Sequence, residues 1–341
     1  WNSEFLKVAK KNKILINTDL GLFFEAIKDR GIKVVGITGT RGKTTTTYLI
    51  FNILKSKYKS KVFMGGNIGN SPLNFVDKLK KGDIVVLEVS SFQLHDLKNH
   101  HFDVGVITNV LPDHLNFYNN LDEYQKDKEN ILSNQTKDDF FVLNKLDPKV
   151  KRMAKKTKAK KLFFTKSKIK GLKIIGEHNY ANIDAALKVA RIFNINDREA
   201  LRVIKGFKGV PDRLEFIREY KGRKFYNDTT ATSPDAAIVA LKSFKQKVIL
   251  ISGGNSKKLE LKKLNREIKK KVKHLILLPG EANKELPEGL PVKDMEHAVQ
   301  AAWALSEKGD VFLLSPGLTW LPLMNEFKRG EEFIKFVKKI K

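Results

Sequence analysis

Residues 34–47 read VVGITGTRGKTTTT, and the fold follows from how that stretch is parsed. Val34 to Thr38 form a short β-rich run of the kind buried in a sheet. It leads without a break into Gly39-Thr40-Arg41-Gly42-Lys43-Thr44-Thr45. Beyond the loop, Tyr48 to Lys55 place apolar side chains at helical spacing. A strand, a glycine loop, a Lys-Thr pair and a helix in that order make a phosphate-binding loop. Glycines let successive backbone N–H groups curl around phosphate oxygens, and the helix N-terminus adds a favourable dipole. Lys43 is placed to reach the terminal phosphates, and Thr44 to set its hydroxyl on Mg²⁺. The loop is shorter than the common G-x-x-x-x-G-K-[ST] form, because position 37 is Ile37 and the first glycine is Gly39. The stretch predicts an ATP site.

Composition narrows what surrounds it. A chain of 341 residues can bury a large core and predicts two domains with a fragment of a third. No signal-like segment or membrane-length apolar run is present, and the absence of cysteine excludes disulfides and thiolate metal sites. These features fit a cytoplasmic protein without a membrane partner. The 65 Lys and Arg against 38 Asp and Glu give a net charge of +27. Runs such as Lys155–Lys161 and Lys269–Lys273 raise the question of nucleic acid. The lysines are spread along the chain and are not interleaved with stacking aromatics, so they read as solvated faces and no nucleic-acid partner is expected. The charge should still speed encounters with anionic nucleotides.

From residue 32, short apolar runs alternate with helical patterns. Strands are expected at Val34–Thr38, Ile84–Val89, Val104–Asn109, Phe140–Asn144 and Leu162–Thr165, with helices at Thr44–Lys55, Leu121–Ser133 and Asn182–Phe193. This alternation predicts an α/β domain with a mainly parallel sheet and ligands at the carboxyl ends of its strands. A boundary near Gly209–Pro211 precedes a second block. Its strands are expected at Lys224–Asn227, Val248–Ser252, Leu275–Leu278 and Val311–Leu314, and its helices at Pro234–Ser243 and Glu296–Ser306. That block reads as a smaller doubly wound, Rossmann-like domain. Residues 1–31 read as a helix, a short strand, a turn and a second helix, too little for a core of their own. The expected division is therefore 1–31, 32–209 and 210–341.

Two further segments carry chemistry. Ile84–Leu94, IVVLEVSSFQL, puts Glu88 near the end of an apolar strand, where a carboxylate is costly unless it is paired or holds a metal. A Mg²⁺ ligand and a salt-bridged carboxylate are both open readings. Asn109–Leu115, NVLPDHL, sets Asp113 and His114 after another strand, either as hard-metal or substrate ligands or as a Pro-Asp turn.

Six motifs occur in one order: GITGTRGKTT, GGNIGNS (65–71), LEVSSFQL (87–94), NVLPDHLNFY (109–118), GEHNYANIDAA (176–186) and NDTTAT (227–232). As a set they resemble the Mur ligase family, and LEVSSFQL with GGNIG is similar to its D-glutamate-adding branch. The resemblance covers essentially the whole chain. It implies an ATP-dependent ligase that adds D-glutamate to UDP-N-acetylmuramoyl-L-alanine through an acyl phosphate in peptidoglycan precursor synthesis, acting as a monomer. It also implies roles for residues. Gly39, Thr40, Gly42, Lys43, Thr44 and Thr45 hold the ATP phosphates and a first Mg²⁺ shared with Glu88. His114 and a carbamylated Lys128 support a second Mg²⁺. Asn67, Ser90 and Gln93 face the UDP-linked substrate. Asn182, Arg213 and Asp228 contact the nucleotide, with Arg213 as a γ-phosphoryl clamp and Asp228 on the ribose. Thr232, Lys257 and Thr319 receive D-glutamate. Lys43, Lys128, His114 and Arg213 are thereby the implied catalytic set.

The chain departs from the family pattern at several points. The His before the clamp arginine is Asp212, and the lysine of N-D-S-K-A-T-N is Thr230. The S-P-A-x-x-S segment is shortened to SPGLTW, which loosens the match at Thr319. The domain that grips the UDP moiety is expected to be absent apart from residues 1–31.

Overall fold

The computed structural model of the chain describes residues 3–111, 118–255, 260–319 and 325–341. It divides into two compact units, Trp1–Lys170 with Glu177–Lys205 and Gly171–Gly176 with Gly206–Lys341.

The first unit is built on β1 (Lys33–Thr38), β2 (Val62–Gly66), β3 (Ile84–Glu88), β4 (Val104–Ile107), β5 (Phe140–Asn144) and β6 (Lys160–Phe164). They form one six-stranded sheet in the order β2-β3-β1-β4-β5-β6. Every pairing in it is parallel. Strand β1 is central, which is why Val34, Val35 and Ile37 are buried and the run is apolar without alternation. The chain visits β2 and β3 on one side of β1 and then β4 to β6 on the other. The carboxyl ends of β1, β3 and β4 are therefore neighbours at the place where such sheets bind ligands.

The second unit is built on β7 (Glu215–Tyr220), β8 (Arg223–Asn227), β9 (Val248–Ser252), β10 (Val272–Leu277), β11 (Leu290–Pro291) and β12 (Val311–Leu314). Their order is β11-β10-β9-β12-β8-β7. All pairings are parallel except β7 with β8. The Pro234–Lys242 and Lys262–Lys271 helices bury Ala237, Leu241, Leu264 and Ile268 in one core cluster. The Met295–Ala304 and Glu326–Lys339 helices bury Met295, Val299, Phe333 and Val337 in a second. Helices on both faces of a mainly parallel sheet make this a doubly wound layer.

Several elements differ from the sequence reading. The short strand expected between the two helices of residues 1–31 does not form, and Ile14 and Leu15 are exposed. The following helix, Asp19–Ile27, places Leu20, Phe23, Phe24 and Ile27 in the core of the first unit. Strand β2 is an edge whose two glycines dilute its β pattern. Strand β7 is an edge whose Glu215, Arg218 and Glu219 hide it among polar segments. The helix expected at Leu121–Ser133 is helical to Glu129 and then tightens into a 3₁₀ turn over Asn130–Leu132. Among the described residues no helix is long and apolar enough to cross a membrane.

Candidate active site

In the first unit the loop after β1 is shaped by its two glycines. Gly39 has φ +143° and Gly42 has φ +83°. Both lie in the region that side chains resist, and a Cβ would drive Gly39 into Thr108 Oγ1 and Gly42 into Asn182 Oδ1. The residues after β4 tie the loop down. Thr40 donates its N–H to Asn109 O at 2.9 Å, and Arg41 donates its N–H to Asn109 Oδ1 at 3.0 Å. Thr108 Oγ1 and Asn109 Nδ2 both donate to Arg41 O, at 2.7 and 2.9 Å. Gly42 then caps the Lys43–Tyr58 helix, with half-buried Thr44 and Thr45 in its first turn. Lys43 Nζ donates to Thr40 O at 3.1 Å, which curls the side chain back over the loop. The result is a set of backbone N–H groups at a helix N-terminus beside a cation, an arrangement that binds phosphate.

Lys128 is the least expected resident of this site. Its side chain is 1% exposed, and Nζ donates to Gly39 O at 3.0 Å. Nζ also lies 4.3 Å from the centre of the Tyr124 ring, and the Tyr124 hydroxyl is 3.2 Å from Thr40 Oγ1. Tyr124 and Lys128 are one helical turn apart on the buried face of the Leu121–Glu129 helix.

Glu88 closes the site from β3. It is 2% exposed, Asn67 Nδ2 donates to Oε1 at 3.3 Å, and buried Oε2 has no hydrogen-bond partner. No ion pair is made by Glu88 among the described residues. A buried carboxylate oxygen without a donor suits a cation. Ser90 and Gln93 form a capping box at the Ser91–His95 helix, Gln93 N–H to Ser90 Oγ at 3.2 Å and Ser90 N–H to Gln93 Oε1 at 3.1 Å. Asn182 donates to Asn179 Oδ1 at 2.9 Å and braces Gly42. The His178 imidazole has its pKa lowered by burial and by the charge of Arg41, which makes it a polar neighbour of the loop.

In the second unit the polar residues gather at the carboxyl ends of β8, β9 and β12. Asp228 is 4% exposed and accepts Leu214 N–H on Oδ1 at 3.1 Å and Ser315 Oγ–H on Oδ2 at 2.8 Å. Burial pushes its pKa up to about 7, against those hydrogen bonds and the charge of Arg213. Arg213 is exposed and sits between two left-handed residues, Asp212 at φ +62° and Leu214 at φ +43°. Such backbone costs about 1–3 kcal/mol per residue and persists only where its surroundings hold it.

Arg329 is fully buried at the start of the last helix. Its Nε donates to Thr229 Oγ1 at 3.0 Å, Nη2 to Thr229 O at 2.8 Å and Nη1 to Thr319 O at 3.3 Å. Among the described residues it forms no ion pair, and burial lowers its pKa to about 10. It clamps two segments that the sequence assigns to amino-acid binding. Thr319 Oγ1 beside it is buried without a hydrogen-bond partner, and Thr232 N–H donates to Thr230 O at 2.8 Å. Two expected residues, His114 and Lys257, lie outside the described residues.

Sequence reasoning missed Arg329, Tyr124, Asn179, Ser315 and the Thr108–Asn109 brace. A signal existed for the first two. Arg329, Phe333 and Val337 share one helical face, as do Tyr124 and Lys128, so the apolar members point their polar partners inward.

Comparison with known proteins follows this division of the chain. The family described as Mur ligase middle domain matches residues 37–171, and that described as Mur ligase, glutamate ligase domain matches residues 212–318. UDP-N-acetylmuramoylalanine–D-glutamate ligase of Clostridium tetani is 36% identical over 353 residues, spanning 93% of this chain and 76% of that protein. The Clostridioides difficile protein of that name is 35% identical over 341 residues, spanning 90% and 75%. Among solved structures, MurF ligase from Thermotoga maritima in complex with ADP superposes with a TM-score of 0.65 at 24% identity, covering 99% of this chain and 85% of that one.

Proposed function

Because the chain belongs to the Mur ligase family, we propose that it is an ATP-dependent ligase joining D-glutamate to UDP-N-acetylmuramoyl-L-alanine, a step of peptidoglycan precursor synthesis. The observation that carries the reading within the fold is the burial of Lys128 against the carbonyl of Gly39, since a lysine is rarely placed under a phosphate loop for packing alone.

The residues divide the work. Gly39, Thr40, Gly42, Lys43, Thr44 and Thr45 hold the ATP phosphates, and Lys43 and Arg213 stabilise the charge that develops on the γ-phosphoryl group as the muramoyl-alanine carboxylate attacks it and ADP leaves. Asn182 braces the loop and Asp228 accepts a ribose hydroxyl. Gln93, whose Oε1 is engaged in the capping box, offers its Nε2 to the substrate, with Asn67 and Ser90 beside it. The D-glutamate amine then attacks the acyl phosphate carbon, loses a proton and releases phosphate. Thr232, Lys257 and the unpartnered Thr319 hydroxyl hold the dicarboxylate.

The unpartnered Glu88 oxygen fits a divalent cation, with Thr44 and His114 as further ligands. As an ammonium Lys128 is itself a cation and holds no metal; only as a carbamate would it become an oxygen ligand. Bound Mg²⁺ would supply charge neutralisation of the phosphates. The domain division 1–31, 32–209 and 210–341, a monomeric state, a cytoplasmic location and an absence of nucleic-acid and membrane partners go with this reading.

The test is incubation of the purified chain with ATP, Mg²⁺ and UDP-N-acetylmuramoyl-L-alanine, offering D-glutamate, L-glutamate, L-lysine and diaminopimelate in parallel. D-Glutamate alone should be incorporated, with stoichiometric ADP. Incorporation of another of these amino acids in its place would overturn the substrate choice.

A further inference from the structure

Asp212 and Thr230 stand where the family pattern has His and Lys, so this chain lacks both of those side chains next to its clamp arginine. The structure joins the two departures. Thr230 donates its N–H at 3.2 Å and its hydroxyl at 2.8 Å to the Asp212 carbonyl. Asn227 Nδ2 donates to Asp212 Oδ1 at 2.8 Å, and the Asp212 N–H donates to Glu215 Oε2 at 3.0 Å. Arg213 N–H reaches Val210 O at 3.1 Å, and Leu214 N–H reaches Asp228 Oδ1 at 3.1 Å. Each backbone N–H from 212 to 214 thus has an acceptor, and the carbonyl of Asp212 has two donors from one residue.

The Arg213 side chain is exposed, so this backbone sets where and in which direction it leaves the chain. The two left-handed residues that flank it, at φ +62° and +43°, would relax if their partners were lost. Aspartate enters that region more readily than most residues, and its short carboxylate meets the Asn227 amide. A threonine at 230 carries a hydroxyl on Cβ, near enough to return to the backbone at 212. Lysine has no group at that position, and its ammonium extends beyond it.

We propose that Asp212 and Thr230 form one positioning unit that aims Arg213. This rests on the reading of Arg213 as the phosphoryl clamp. Both residues act on one peptide, Thr230 on its carbonyl and Asp212 through the Asn227 amide. His at 212 loses the carboxylate that Asn227 holds, while Lys at 230 loses the hydroxyl that fixes the same peptide. Either loss frees that peptide, so the second adds little to the first.

The experiment is a double-mutant cycle in the full chain with Asp212→His, Thr230→Lys and the double variant, and with Thr230→Ser, Thr230→Val and Arg213→Ala as references. Ligase kcat, KM for ATP, KM for D-glutamate and melting temperature are read for each. Misaiming a clamp predicts a kcat loss of about tenfold or more for each single variant, with KM for D-glutamate nearly unchanged. The double variant should lose little more than either single one, Thr230→Ser should retain activity, and Thr230→Val should lose it. Losses that multiply in the double variant would show two independent residues and overturn the pairing. Losses that follow melting temperature alone would reduce the unit to a structural brace and overturn it as well. Arg213→Ala separates the two levels. If that variant keeps its kcat the clamp reading itself falls, whereas an inactive Arg213→Ala beside a multiplicative cycle sinks only the shared unit.

Discussion

The phosphate-loop region of the first unit and the amino-acid region of the second solve one problem in opposite ways. The first is nearly contiguous: seven residues, Gly39 to Thr45, carry the loop, and Thr108, Asn109 and Asn182 brace it. The second is assembled from 212–214, 227–232, 315–319 and Arg329, which meet only after the sheet forms. In the first, shape comes from positive-φ glycines, and its polar groups face outward to a ligand. In the second, shape comes from Asp228 and Arg329, which bridge separate segments from buried positions, whereas buried Lys128 and Glu88 lie under and beside a loop already shaped by its glycines. A substitution in the first region should therefore remove chemistry and spare the fold. A substitution in the second should move affinity and stability together.

The sharpest break of that contrast would be Lys43→Ala. The side chain lies half-buried over the loop, where it donates to Thr40 O, so the melting temperature should change little while ADP formation falls by about 10³-fold or more. Retained turnover would remove the phosphate-loop role. Lys128→Ala comes next, with an expected loss of about 10²-fold or more. A short carboxylate added in solution should restore part of the activity if the lysine works as a carbamate. Full activity of the variant without any carboxylate would rule that out.

The same contrast explains what could be read beforehand. The loop was legible because Gly39 and Gly42 each occupy a conformation that other residues resist, and such positions are written into the residue type. Glu88 was legible because a charge closing an apolar strand demands a reason. Lys128 was named from its motif, yet its burial was not foreseen. The Leu121–Glu129 helix is mostly charged, and only the Tyr124–Lys128 turn marks its inner face. Thr230 and Asp212 are 18 positions apart, and no local pattern announces a hydroxyl that folds back on a distant carbonyl. Strand β7 stayed hidden because an edge strand can place Glu215, Arg218 and Glu219 among its apolar residues, only Glu219 of the three being exposed. Ile14 and Leu15 misled in the other direction, since two apolar residues without a pairing partner do not make a strand.

Arg329→Met tests whether buried charge in the second region serves binding. Loss of the guanidinium leaves Thr229 O, Thr229 Oγ1 and Thr319 O short of a donor, at about 1–3 kcal/mol per buried acceptor. Removing an unpaired buried cation offsets several kcal/mol of that. The net change in stability should therefore be modest, on the order of 1–3 kcal/mol, while KM for D-glutamate rises about tenfold as Thr319 loosens. A drop in melting temperature with KM untouched would make Arg329 a staple for the helix and nothing more.

The smallest effect should be a difference in how the two units respond to acid. His100 in the first unit is 2% exposed, donates Nε2–H to Asn130 O at 2.8 Å and packs between the rings of Phe24 and Phe102. Burial lowers its pKa below the ordinary 6.5, so the unfolded chain takes up the proton first. Its stabilisation is complete above 6.5 and is lost as pH falls through that value toward the folded-state pKa. Asp228 has the opposite sign. Burial raises it from 3.8 to about 7, so the folded unit keeps a proton that the unfolded chain has released, and burial also raises Asp212 and Glu215 beside it. That contribution is complete near pH 4 and is lost as pH rises to 7, by a few kcal/mol for Asp228. Melting temperatures between pH 5 and 7.5 should thus change slope in opposite directions in two variants. Asp228→Asn should lose the gain toward acid, and His100→Asn should lose the decline. Slopes that move in the same direction would mean that burial does not set one of these groups, and the opposite acid responses of the two units would fail with it.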